Sequence, residues 1–220
     1  MHGARRTDEA SHRLSAFRLE VKLRYMEIWD DYVAAVSVGL LNLAITDKAG
    51  TTLAPAFGFR RWIELTRNVH AGGHHVFLIG NGASAGIASH IAADACKNGG
   101  LRARAFNDSA LLTATANDLS FDQVFALPLS RFGGAGDMLI SISSSGRSPN
   151  IVRALECARA LGLWIVTLSG MDADNPSRSF GDLNLYVSSG RYGWIECAHQ
   201  VVLHYWLDQY SAAAHEENAL

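Results

Sequence analysis

Cysteine is scarce. Cys96, Cys157 and Cys197 are the only three in 220 residues, odd in number and far apart. That excludes a disulfide framework and a paired-cysteine metal knuckle, and it fits a reducing compartment. A basic excess is also missing. Nineteen Lys and Arg face 21 Asp and Glu, for a net charge of −2, so no surplus cation exists to neutralise a nucleic-acid backbone. No apolar run reaches the roughly 20 residues of a membrane span, and the opening Met1 to Glu9 carries no apolar core of a secretory signal. A cytoplasmic protein with no membrane and no nucleic-acid partner is expected. Repeats and low-complexity tracts are lacking too. What is present is globular: 49% apolar and 18% charged residues. A chain of this length buries roughly 70% of its unfolded surface, so one compact domain with appendages needs no staples.

Two textures follow one another. From about Ser15 to Arg67 apolar residues recur at spacings of three and four, through Phe17, Leu19, Ile28, Trp29, Val33, Val36, Leu40 and Leu43, which predicts helices interrupted at Gly50-Thr51-Thr52. The apolar face of the first helix is broad, which leaves open an intrachain core or a partner chain. From His75 onward short apolar runs alternate with helical stretches. Strands are expected at Val76–Ile79, Ala103–Phe106, Met138–Ile142, Trp164–Leu168 and Leu183–Val187. Helices are expected at Ser84–Lys97, Ala110–Ala116, Phe121–Phe132, from Pro149 to Leu161, and at Ile195–Tyr210. Apolar strands separated by helices indicate an α/β fold with a parallel sheet covered on both faces.

Two of these strands end in unusual loops. Gly80-Asn81-Gly82-Ala83-Ser84 precedes one helix, where glycines permit close backbone approach and the helix N-terminus favours an anion. Ser143-Ser144-Ser145-Gly146-Arg147-Ser148 precedes another. A strand-to-helix turn needs one capping hydroxyl, and four exceed that need. They suit a single phosphate monoester. A dinucleotide fold with Asp108 on the ribose is disfavoured, because Gly80, Gly82 and Gly86 are spaced GxGxxxG and not GxGxxG.

The glycine loop, Asn117-Asp118 and the serine loop, in this order and spacing, resemble the sugar isomerase (SIS) domain family, and within it the phosphoheptose isomerases. The resemblance implies a three-layer, flavodoxin-like fold with a five-stranded parallel sheet flanked by helices and an N-terminal helical extension. It divides the chain into a flexible N-terminus (1–14), helices that pack on the core and the oligomer interface (15–72), the SIS domain (73–214) and a tail (215–220). It implies a homotetramer with active sites between subunits. The implied activity is the isomerisation of sedoheptulose 7-phosphate to D-glycero-heptose 7-phosphate in heptose biosynthesis. The alternative is a non-catalytic SIS protein that binds a phosphosugar or associates with a replication initiator. Carried over by position, Asn81, Gly82, Ala83, Ser84, Asn117, Asp118, Ser143, Ser144, Ser145, Ser148 and Glu196 contact the sugar phosphate. Ala83 departs from the usual Gly, and Arg147 from the commoner Asn, adding a positive charge that favours phosphate. The loop from Met171 to Phe180 is expected to bear on sugar length and stereochemistry.

Aldose–ketose isomerisation moves one proton between two carbons and another between two oxygens. His90 and Asp94, four apart, share a helix face; Glu196, Gln200 and His204 step along the last helix. His90, Asp94, Glu196 and His204 fall at the family's catalytic and metal-binding positions, usually His, Glu, Gln and His. Two depart: Asp94 is one methylene shorter, and Glu196 is charged. The base is therefore Asp94 or Glu196. The four are also a nitrogen and oxygen donor set suited to zinc, which some members hold there. The alternative is a structural histidine–carboxylate cluster. Glu196 and His204 lie about 12 Å apart along an ideal helix, so they must lean together to share an ion. His199 is expected to be a hydrogen-bonded core residue.

Overall fold

The computed structural model describes residues 28–217, with side chains to residue 212. The expected N-terminus (1–14) and the first part of the N-terminal helices lie outside the described residues. The chain divides into two units, residues 1–38 and 39–220. Helix is described from residue 28 to residue 41 (α1), with Ile28, Trp29 and Val33 exposed.

In the second unit the order is β1 (Ala44–Asp47), β2 (Thr52–Leu53), α2 (Pro55–Ala71), β3 (His75–Gly80), α3 (Ala83–Lys97), β4 (Arg102–Ala105) and α4 (Ser109–Asp118). Then come α5 (Ala126–Phe132), β5 (Met138–Ser143), α6 (Pro149–Leu161), β6 (Trp164–Ser169), β7 (Leu183–Tyr186) and α7 (Tyr192–Glu217). The sheet order is β2-β1-β7-β6-β5-β3-β4. The five strands β3 to β7 are mutually parallel, and numbered among themselves they read 2-1-3-4-5, the flavodoxin-like order. Each is a short run between chain breakers, largely apolar except at the edge strand β4, where exposed Arg102 and Arg104 alternate with Ala103 and Ala105, and β5 is buried along its whole length.

Two cores confirm the three layers. On one face Trp62, Ile91, Leu203 and Trp206 of α2, α3 and α7 pack against Val76, Leu78, Ile140 and Val166. On the other, Leu129, Ile151 and Leu155 of α5 and α6 pack against Phe77, Ile79, Leu139 and Ile165.

The sheet has seven strands, two more than expected. The region read as helical up to Arg67 breaks after residue 41, and Ala44–Asp47 instead pairs antiparallel with β7, with Ala44 opposite Tyr186. The turn that follows is built by Asp47, whose carboxylate accepts the N–H groups of Ala49 and Thr51 at 2.9 Å each, with Gly50 at φ 80°. This Asx-type turn returns the chain into β2. The stretch Phe121–Phe132 is likewise two pieces, a 3₁₀ turn (Phe121–Gln123) and then α5. Pro128 is tolerated only in a first helical turn, so α5 starts just before it. Pro149 opens α6 as expected, and Gly162 closes it at φ 79°.

Candidate active site

Strands β3 and β5 are neighbours, with Gly80 opposite Ile142, so the loops that follow them lie side by side. The order of the parallel strands turns back at this pair, β4 to one side and β6 to the other. Such a switch point leaves a crevice at the carboxyl ends of the strands, where ligands of open α/β sheets bind. Here it is a cavity of about 230 Å³. Ser143, Ser144, Ser145 and Ser148 line it, with Asn81 and Ser84 from the glycine loop and Tyr192 and Glu196 from α7.

The serine hydroxyls are not spent on the loop itself. Ser143 Oγ accepts the Gly146 N–H at 3.2 Å and Ser145 Oγ that of Arg147 at 3.3 Å, so both hydroxyl hydrogens remain for a ligand. Ser148 stands at the N-cap of α6 with no side-chain cap bond. Ser144 Oγ is buried with no partner among the described residues. Such a group costs on the order of 1–3 kcal/mol, which an anionic oxygen in the cavity recovers. Gly82, at φ 56°, begins α3 without a side-chain cap and leaves the helix N-terminus facing this end of the sheet. Gly82 and Ala83 are themselves exposed.

One residue that sequence reasoning missed joins the two loops. Asn150 donates to Asn81 Oδ1 at 2.8 Å and accepts from Asn81 Nδ2 at 2.9 Å. It is buried and also accepts the Ile151 N–H. Its only signal was its place after Pro149, at the junction of loop and helix.

Further along α3 and α7 stand the residues expected to do the acid–base work. His90 Nε2 lies 3.4 Å from Asp94 Oδ2 on α3. His204 on α7 meets His90 edge to face, with ring centres 5.2 Å apart. One ligand atom from each of His90, Asp94 and His204 falls within 4.8 Å of the others. Two imidazole nitrogens and a carboxylate oxygen fit a zinc ion. Glu196 is outside this trio and lines the hydroxyl cavity, two turns earlier on α7. The four residues are thus divided three and one, as the 12 Å helix separation required.

Other positions lie apart from the cavity. Asn117 and Asp118 are exposed at the end of α4 and bonded to each other at 2.8 Å. Arg147 does not line the cavity: its guanidinium lies 2.9 Å from Asp172 and 3.2 Å from Asp174. Asp108, the ribose ligand of the disfavoured reading, caps α4 by accepting the Leu111 N–H at 2.9 Å.

His199 is fully buried, and its Nε2 donates to the Ser169 carbonyl at 3.2 Å, which leaves Nδ1 the bare acceptor. Burial pushes its pKa down from 6.5 to about 4, against the pull of that hydrogen bond, so it is a neutral core residue as expected. A larger hollow of about 360 Å³ between α5 and α6 holds Arg153 and Glu156, which pair with each other at 3.2 Å. Burial also pushes the Cys157 thiol there up. That hollow has volume without a competent nucleophile or base.

Known proteins place this geometry. The sequence profile of the SIS domain matches residues 56–170, which run from α2 past β6 and include both loops. A phosphoheptose isomerase from Nitratidesulfovibrio vulgaris is 37% identical over 140 residues, 61% of this chain and 67% of the relative. One from Geobacter sp. is 34% identical over 148 residues, 64% of this chain and 77% of the relative. The solved phosphoheptose isomerase of Neisseria gonorrhoeae superposes with a TM-score of 0.73 at 26% identity, covering 86% of this chain and 99% of that one.

Proposed function

Because the chain belongs to the SIS domain family, we propose that it is a phosphosugar isomerase of heptose biosynthesis, interconverting an aldose and a ketose phosphate. The observation that carries this is the pairing of a hydroxyl-lined cavity with a His–Asp–His trio on the same two helices. Helix α3 brings Ser84 to the cavity and His90 and Asp94 to the trio; α7 brings Glu196 and His204. A protein that only bound phosphosugars would have no use for that trio.

The serine hydroxyls and the α3 N-terminus hold the phosphate, which fixes the far end of the open-chain sugar. Glu196, beside the phosphate cavity, removes the carbon-bound proton at C1 of the ketose, and the electron pair forms an enediol. Return of the proton to C2, with transfer of a hydroxyl proton from the C1 oxygen to the C2 oxygen by His204 or His90, gives the aldose. Asp94 orients His90 and is the competing base. The relatives' names point to a heptose phosphate, and sedoheptulose 7-phosphate is the ketose of that class that the family resemblance implies. Zinc, held by His90, Asp94 and His204, would polarise a substrate oxygen as a Lewis acid.

Assembly as a homotetramer with sites between subunits goes with the exposed Trp29 and Val33 of α1 and with the placement of Asn117 and Asp118 outside the cavity. A cytoplasmic location goes with a phosphosugar substrate. The test is incubation with sedoheptulose 7-phosphate, followed by proton NMR. New aldose signals are expected, and no turnover with or without added zinc overturns the proposal.

A further inference from the structure

The cavity that binds the phosphate has no cation in its wall, yet the serine loop carries one. Arg147 stands between Gly146 and the lining residue Ser148, and its guanidinium is held by the carboxylates of Asp172 and Asp174. All three side chains are largely exposed, at 49%, 65% and 89%. Ion pairs of this kind are weak, because water screens them and two long side chains must be ordered. A phosphate monoester offers the same guanidinium a dianion and two-pronged hydrogen bonds, which is the stronger partner.

The backbone around Arg147 does not depend on the ion pair. Ser177 N–H bonds to the Gly146 carbonyl at 3.1 Å, and Gly170 N–H to the Ser144 carbonyl at 2.9 Å. Buried Asn175 further ties its segment to Ser169, Gly170 and Asp172. The loop is pinned while the arginine arm can swing.

Resting on the phosphosugar reading above, we propose that Arg147 is shared between the acidic pair and the substrate phosphate, so that Asp172 and Asp174 set the affinity for substrate. In this arrangement Arg147 determines substrate affinity and the two aspartates act as its counterweight. A phosphate on Ser143 to Ser148 draws the guanidinium inward. Removing the counterweight makes the guanidinium available at no cost.

The test uses the full-length protein with inorganic phosphate as the probe by calorimetry, and KM for the phosphosugar alongside it. Arg147→Asn is expected to weaken phosphate and raise KM by about tenfold, the loss of one charge-assisted interaction. The double change Asp172→Asn with Asp174→Asn is expected to tighten phosphate by about threefold. The triple variant should match Arg147→Asn alone, since the aspartates act only through the arginine. Arg147→Lys should recover part of the affinity, and thermal melts should be unchanged throughout. Unaltered phosphate affinity in Arg147→Asn, or weaker affinity in the double aspartate variant, overturns the inference. Ser143→Ala with Ser145→Ala separates the two levels. If that variant loses phosphate while the arginine and aspartate variants do not change, only the role of Arg147 falls. If it binds phosphate like the parent, the cavity assignment falls as well.

Discussion

At the residue scale, the proposed chemistry divides between hydroxyls that anchor and groups that move protons. Ser143 and Ser145 each accept one N–H from their own loop and keep a hydrogen to donate. Their joint replacement by Ala should weaken phosphosugar binding by on the order of 1 kcal/mol or more per hydroxyl, read as a rise in Kd with an unchanged melt. The base is tested by Glu196→Gln and Asp94→Asn. Glu196 stands at the cavity and Asp94 beside His90, so Glu196→Gln should lower kcat by about 10²–10⁴ while binding survives. If Glu196→Gln keeps full activity and Asp94→Asn is dead, the roles are reversed. His199 makes an acid-sensitive core. Its folded pKa of about 4 lies below the ordinary 6.5, so the unfolded chain binds the extra proton between those values and stability falls as pH drops through that window. The loss reaches on the order of 1 kcal/mol per pH unit in the middle of that window. Urea titrations at pH 7 and 4.5 should show a smaller difference for His199→Gln than for the parent. The serine loop was legible because its residues are contiguous. Asn150 and Asn175 were not, since what they do depends on partners on other strands and loops.

At the scale of elements, β3 to β7 were readable from apolar runs bounded by Gly, Asn and Pro. β1 was hidden for a physical reason. Ala44-Ile45-Thr46-Asp47 is four residues long, follows a helical pattern directly, and becomes a strand only by pairing with β7 at the far end of the chain. Tertiary context there overrides local pattern. The small residue that lets α2 settle on this strand is Gly58, where an added Cβ would come within 2.8 Å of Ile45 Cγ2. Gly58→Ala should destabilise the protein by about 1–3 kcal/mol through overpacking, offset in part by better helix propensity, with the midpoint of urea unfolding as the measure. An unchanged midpoint would mean that Ile45 repacks freely.

At the scale of the whole molecule, α1 presents Trp29 at 66% exposure together with Ile28 and Val33. Large exposed apolar groups at this density mark an association surface. On the proposed homotetramer, light scattering should find a tetramer, and Trp29→Glu should shift it toward smaller species; a monodisperse, active monomer would refute the assembly. The antiparallel strand β1 has one more consequence, for how the chain is made. Its partner β7 emerges from the ribosome only after β3 to β6 and the helices between them. During synthesis the β1–β2 hairpin must wait without its ladder to β7, and the sheet cannot seal that edge until β7 is in place. Loop-closure entropy makes such a long-range pairing late and slow. A nascent chain stalled before β7 therefore holds β1 unplaced and leaves the β6 edge open to pairing with another chain.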